Sequence, residues 1–142
     1  MTVAHILKGK GRDIFSLAPD HTIGEAARTL AEKRIGAVLI TKKDGSLAGI
    51  LSERDVVRSL AKGGADALGH PVSQHMTAKV ETAREIDTIP FLMEKMTAGK
   101  FRHMPVVEGG KVVGIVSIGD VVKFRLAEME AETQAMRDYI TA

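Results

Sequence analysis

The 142 residues suffice for one compact domain or two small units sharing a core, and 44% hydrophobic with 27% charged residues is an ordinary globular composition. A formal net charge of +2 without any Lys/Arg block, together with one Tyr, four Phe and no Trp, offers nucleic acid neither a basic patch nor a stacking platform. The absence of Cys excludes disulfides, a thiolate nucleophile and Cys-type zinc sites, and no run has the pattern of a signal peptide or the length of a membrane span, so a cytoplasmic protein is expected.

In chain order, residues 2–10 read as a short helical arm ending at Gly9 or Gly11, and 14–17 as a short strand stopped by Ala18-Pro19-Asp20. Thr22-Ile-Gly-Glu25 has the form of a capping box, and Ala26, Ala27, Leu30 and Ala31 follow with helical periodicity. The apolar run 35–40 suits a buried strand, Asp44-Gly45 marks a hairpin turn, and 47–51 is the returning strand. Ser52 then opens a helix running to about residue 61. A Gly/Ala-rich connector covers 63–69, and 70–76 reads as a turn or short helix.

The same script resumes from residue 80. A short strand is expected over 80–82, a helix capped by Thr88 with Pro90 in its first turn, a buried strand over 101–107, a tight turn at 108–110 and a returning strand over 111–116. Ser117 opens the last helix. The stretches Gly49-Ile-Leu-Ser-Glu-Arg-Asp55 and Gly114-Ile-Val-Ser-Ile-Gly-Asp120 share Gly-x-x-Ser-x-x-Asp and lie 65 residues apart. Earlier elements align at an offset of 66, so the second hairpin turn is one residue shorter. A repeat of this length marks two copies of one supersecondary unit, here β-α-β-β-α. The expected class is α+β, with the two units packed sheet to sheet about a pseudo-twofold axis, plus an extended last helix. The expected divisions are an N-terminal arm over 1–11, a first unit over 12–62, a connector over 63–72, a second unit over 73–126 and a helical extension over 127–142.

Arg34-Ile-Gly-Ala-Val-Leu-Ile40, Arg102-His-Met-Pro-Val-Val107, the two Gly-x-x-Ser-x-x-Asp stretches and the lead-in His75-Met-Thr77 together resemble a tandem pair of cystathionine-β-synthase-type (CBS) domains, a Bateman module. The resemblance spans roughly residues 12–126. It implies two clefts binding adenosine-containing ligands such as AMP, ATP, NAD or S-adenosylmethionine. One cleft would take Ser52 and Asp55 with Thr77, Lys79, Val80, Phe101, Arg102, His103, Met104 and Pro105. The other would take Ser117 and Asp120 with Asp13, Ile14, Phe15, Ile35, Gly36 and Ala37. The family also commonly pairs modules into dimers.

Each Ser-x-x-Asp has a purely structural reading as a capping box, worth about 1 kcal/mol. It also suits a ligand. An Asp carboxylate accepts from ribose hydroxyls, and the amides of a helix start suit a phosphate. Arg102 and His103 read equally as phosphate-neutralising groups and as solvated residues at a strand entrance. On the first reading the Asp55 cleft takes the more phosphate-rich ligand, because the cations near Asp120, Lys10 and Arg12, lie on an arm expected to be mobile. The five His lack ligand spacing, and no base accompanies Ser52 or Ser117, so neither a metal site nor a catalytic set is expected. Val122, Leu126, Met129, Thr133, Met136 and Ile140 alternate spacings of four and three, the period of a helix–helix seam. Beyond residue 126 this seam is expected to serve a dimer contact. The expected function is a non-catalytic, stand-alone regulatory module for an adenine nucleotide. The alternative is a protein-interaction scaffold with vestigial clefts.

Overall fold

Four hydroxyl side chains set the starts of the four longest helices. In the computed structural model, which describes all 142 residues, Thr22 caps α2 (Ile23–Lys33) by accepting from the Glu25 N–H, and Thr88 caps α5 (Ile89–Gly99) by accepting from that of Phe91. Ser52 and Ser117 cap α3 (Glu53–Gly63) and α6 (Ile118–Thr141) in the same way, from the N–H of Asp55 and of Asp120. Each cap satisfies a helix-start amide that has no partner within the helix. The remaining elements are α1 (Val3–Lys10), β1 (Ser16–Leu17), β2 (Ala37–Thr41), β3 (Leu47–Ser52), a 3-10 helix (Gly64–Gly69), α4 (Val72–His75), β4 (His103–Glu108) and β5 (Lys111–Ser117). The class is mixed α+β with a long last helix, as the repeat predicts.

The chain divides into two units. The first-copy unit comprises residues 14–81 and 109–112. Its sheet runs β1-β2-β3, with β1 parallel to β2 (Leu17 opposite Ile40) and β2 antiparallel to β3 (Ala37 opposite Ser52). Ile23, Ala26 and Leu30 of α2, one helical face, close over Val38, Ile40 and Leu51 of the sheet, with Val56 and Val72 beside them. The second-copy unit comprises residues 1–13, 82–108 and 113–142. β4 and β5 form a hairpin turning at Gly109 and Gly110, both at positive φ. Ile89, Leu92 and Met96 of α5 pack with Met104, Val106, Val116 and Val121.

One expected strand is absent. In the first copy, β1 is held by two registered pairs, and the Leu39 N–H donates to the Phe15 carbonyl (3.1 Å). The equivalent of Leu39, 66 residues on, is Pro105, which has no N–H to give. The strand expected over 80–82 is therefore reduced to a single parallel bridge between Ala83 and Val106, held by Ala83 N–H to Pro105 O and Val107 N–H to Ala83 O, each 2.9 Å.

Residues 2–10 form the expected helix, α1, ending at Gly11, but it is not a free arm. Val3, Ile6 and Leu7 are buried in the core of the second-copy unit. The backbone docks in a repeated way. Ile89 N–H donates to Met1 O, Val3 N–H to Asp87 O and Ala4 N–H to Glu85 O. In the first-copy unit Ile23 N–H donates to His70 O, Val72 N–H to His21 O and Ser73 N–H to Pro19 O. The two sets match at offsets of 66 and 69. The duplication therefore includes a lead-in of its own, and the lead-in preceding each copy completes the unit built on the other.

Candidate functional site

The two Ser-x-x-Asp stretches form near-identical corners where a returning strand becomes a helix. At the first, Asp55 Oδ2 accepts from the Ser52 N–H (2.9 Å) and from the Ser52 hydroxyl (3.1 Å), while Ser52 Oγ accepts from the Asp55 N–H. At the second, Asp120 Oδ2 accepts from the Ser117 N–H (2.9 Å), and Ser117 Oγ accepts from the Asp120 N–H (3.1 Å). Both are complete capping boxes. The first helix amide of each corner donates to the entrance of its own buried strand, Glu53 N–H to Gly36 O (3.0 Å) and Ile118 N–H to Arg102 O (2.8 Å). Capping engages Oδ2 in both; Oδ1 of Asp55 faces Arg58 Nη1 at 3.5 Å, while Oδ1 of Asp120 takes no part in its cap.

The opening glycine of each corner is required by close approach. A Cβ on Gly49 would lie 2.7 Å from both Met76 Sδ and the Thr77 carbonyl oxygen. A Cβ on Gly114 would lie 2.7 Å from Leu7 Cδ2. Met76 and Leu7 are equivalent residues of the two lead-ins, so each corner is built against the lead-in docked on it.

The corners differ in charge. Lys10 Nζ donates to Asp120 Oδ2 (2.5 Å) and to the Ile115 carbonyl (3.0 Å). Burial alone would raise the Asp120 carboxyl, but the Lys10 hydrogen bond and charge and the Ser117 bonds outweigh it and hold the group below its ordinary value. Asp55 is 9% exposed, and its nearest cation, Arg58 Nη1, stands 3.5 Å from Oδ1 with its own side chain 60% exposed. The sequence sets Lys10 near Asp120 only on a mobile arm; the bond itself, across 110 residues, is what the fold adds. The visible signal was Val3-Ala4 repeated as Val72-Ser73.

The other residues implied by the resemblance fall within the two units as follows. In the first-copy unit, Ile35 and Gly36 are half-buried and Ala37 is buried. Phe15 is partly exposed under the Lys33 ammonium, and Ile14 precedes it, half-buried. Thr77 makes a two-bond bridge with Ile50, followed by exposed Lys79 and half-buried Val80. In the second-copy unit, Arg102 is exposed and lends its carbonyl to the corner, and His103 is half-buried at the start of β4. Phe101 packs against the core, Met104 is fully buried within it, and Pro105 is buried with its carbonyl bonded to Ala83. Met104 thus serves packing. Asp13 is exposed. His70 and His75 lie ring against ring, Nδ1 of the first 2.9 Å from Nε2 of the second, and no group of three or more His, Cys, Asp or Glu converges anywhere.

The comparisons with known proteins agree with this geometry. The CBS domain family model matches residues 10–62 and again 72–127. A CBS-domain containing protein from Agrobacterium tumefaciens is 49% identical, with a TM-score of 0.86 over 88% of this chain and 99% of that one. A CBS domain protein from Pyrobaculum aerophilum, solved in complex with AMP, is 30% identical with a TM-score of 0.76, covering 84% of this chain and 89% of that one. The CBS domain pair of protein MJ0100, solved with 5′-methylthioadenosine and S-adenosyl-L-methionine, is 26% identical with a TM-score of 0.80, covering 90% and 98%. Duplicated corners on duplicated units, matched twice by one family model over most of the chain, lead to one conclusion: this chain belongs to the CBS domain family and carries that domain in tandem.

Proposed function

We propose that the chain is a regulatory module that binds an adenosine-containing ligand at the Ser52–Asp55 and Ser117–Asp120 corners. The observation that carries this reading is the corner itself, present twice. A carboxylate oriented by its own cap offers its second oxygen to ribose hydroxyls, met at Asp55 only by the exposed Arg58 at 3.5 Å, beside a helix start whose dipole favours a phosphate. The relatives solved with AMP and with S-adenosyl-L-methionine support the ligand class. Thr77, Lys79, Val80 and residues 101–105, with residues 13–15 and 35–37, complete the proposed lining, and AMP, ATP, NAD and S-adenosylmethionine are the candidate ligands. The side-chain partner of Ser52 is Asp55 and that of Ser117 is Asp120, each engaged in its own helix cap. The proposed role is sensing, with occupancy shifting conformation or association of paired modules.

No helix is long and apolar enough to cross a membrane, and the proposal places the module in the cytoplasm. Calorimetric titration with the four candidates tests the reading. At least one is expected to bind, with affinity lost at one corner in Asp55→Asn and at the other in Asp120→Asn. Silence with all four would instead favour a scaffold whose corners are helix caps alone.

A further inference from the structure

α6 touches the second-copy core through one narrow face. Val121 is buried and Ile118, Phe124, Arg125 and Glu128 are half-buried, but every residue from Met129 onward is exposed. The helix nevertheless continues to Thr141, 13 residues past Glu128. An unsupported helical stretch of that length is marginal in water. Its apolar side chains are not scattered. Val122, Leu126, Met129, Met136 and Ile140 are 42%, 55%, 47%, 62% and 75% exposed, and with Thr133 they form one continuous 4-3 stripe. The stripe lies beside, not on, the face that packs inward. Leu126, Met129 and Thr133 line a shallow groove rimmed by Glu130 and Arg137.

The flanks of the stripe identify its occupant. With Leu126, Thr133 and Ile140 at one seam position and Val122, Met129 and Met136 at the other, Lys123, Glu130 and Arg137 fall on one flank and Arg125, Glu132 and Tyr139 on the opposite one. Two copies side by side, parallel and in register, bring Glu132 to Arg137 of the second copy, a pair that occurs twice by symmetry, and set Arg125, bonded to Glu128 of its own chain (2.5 Å), beside Glu130 of the second copy. An antiparallel pairing with full overlap instead sets Lys123 beside Arg137, Glu130 beside its own equivalent, and Glu132 beside its own equivalent. Antiparallel registers shifted to cure these repulsions leave part of the stripe uncovered. We propose that α6 is a self-association helix, pairing with α6 of a second copy of this chain as a parallel, in-register two-stranded coiled coil over residues 122–140.

The cysteine-free chain supplies its own reporter. Light scattering of the full chain, without added ligand, is expected to give twice the chain mass, falling to the single-chain mass in Met129→Glu/Met136→Glu. Glu132→Arg is expected to weaken the dimer, and Glu132→Arg/Arg137→Glu to restore it, which a merely misfolded helix would not do. Thr133→Cys is expected to form an interchain disulfide on oxidation, while Ala131→Cys, on the opposite side of the helix, is not. A single-chain mass for the parent, a dimer indifferent to the two glutamates, or equal cross-linking at 131 and 133 would each overturn the proposal.

Discussion

Lys10 Nζ lies 2.5 Å from Asp120 Oδ2, tying the last turn of the first helix to the first turn of the last helix. The Asp55 corner has no cation held so closely, so two corners alike in backbone differ in electrostatics. From sequence alone, phosphate preference is expected at Asp55, with Arg102 and His103 as its cations and Lys10 on a mobile arm. Lys10 instead sits on a docked helix and supplies a fixed positive charge at Asp120.

The pair has a pH signature. The Asp120 carboxyl is held below its ordinary value, so its stabilisation is fully present above the unfolded carboxyl value of about 3.9 and is lost as pH falls through the folded value. Lys10→Met should cost about 1 kcal/mol near neutral pH, allowing for partial solvent screening. It should also shrink the stability lost on acidification. Urea unfolding near pH 7 and near pH 3 checks both; equal acid losses in parent and variant would show that Lys10 does not hold Asp120 down.

The two corner glycines should differ in tolerance. Gly49→Ala pushes a methyl against the Thr77 carbonyl as well as Met76, and the backbone oxygen is fixed by its bond from the Ile50 N–H. Gly114→Ala meets only the flexible end of Leu7. Thermal or urea unfolding should show a cost of roughly 1–3 kcal/mol at Gly49 and a smaller one at Gly114.

Ile6 is fully buried among core side chains of the second-copy unit. Ile6→Ala should therefore destabilise by about 2–5 kcal/mol. A free arm would show almost no change, and a single urea titration separates the two.

Arg34 and Lys100 end α2 and α5 in the left-handed region, with φ of 54° and 56°. Both are exposed and stand at equivalent positions of the repeat. A side chain is strained there and glycine is not, so Arg34→Gly and Lys100→Gly should each stabilise by about 0.5–1 kcal/mol. Unchanged or lowered melting temperatures would show that the side chains repay that strain.

What was legible in the chain was whatever local chemistry dictates. Ser52 and Asp55, or Thr22 and Glu25, lie within one helical turn, so capping and the start of the helix can be read directly. Asp44-Gly45 and Gly109-Gly110 announce their hairpins because few residues reach positive φ without strain. The docking of α1 was not legible. Val3, Ile6 and Leu7 declare an apolar face, but what covers it is decided by residues some eighty or more positions away. The lost strand was in principle visible in Pro105, yet the missing N–H matters only once the fold sets residue 105 beside the segment that leads into Ala83. At the site, the serines and aspartates were found because capping requires them both. For Lys10 only the neighbourhood was legible; its bond to Asp120 was not, because only the folded chain docks α1.

The exchange of lead-ins means that the limits of the repeat are not the limits of folding. The family match over 72–127 omits Val3, Ile6 and Leu7, which fill the core of that very segment, and the match over 10–62 omits Val72, which fills the other. A fragment cut at either boundary would expose a vacant apolar groove while carrying, or having lost, the plug that belongs elsewhere. Neither copy is a portable part: the smallest self-sufficient piece includes both, together with the helix that precedes them.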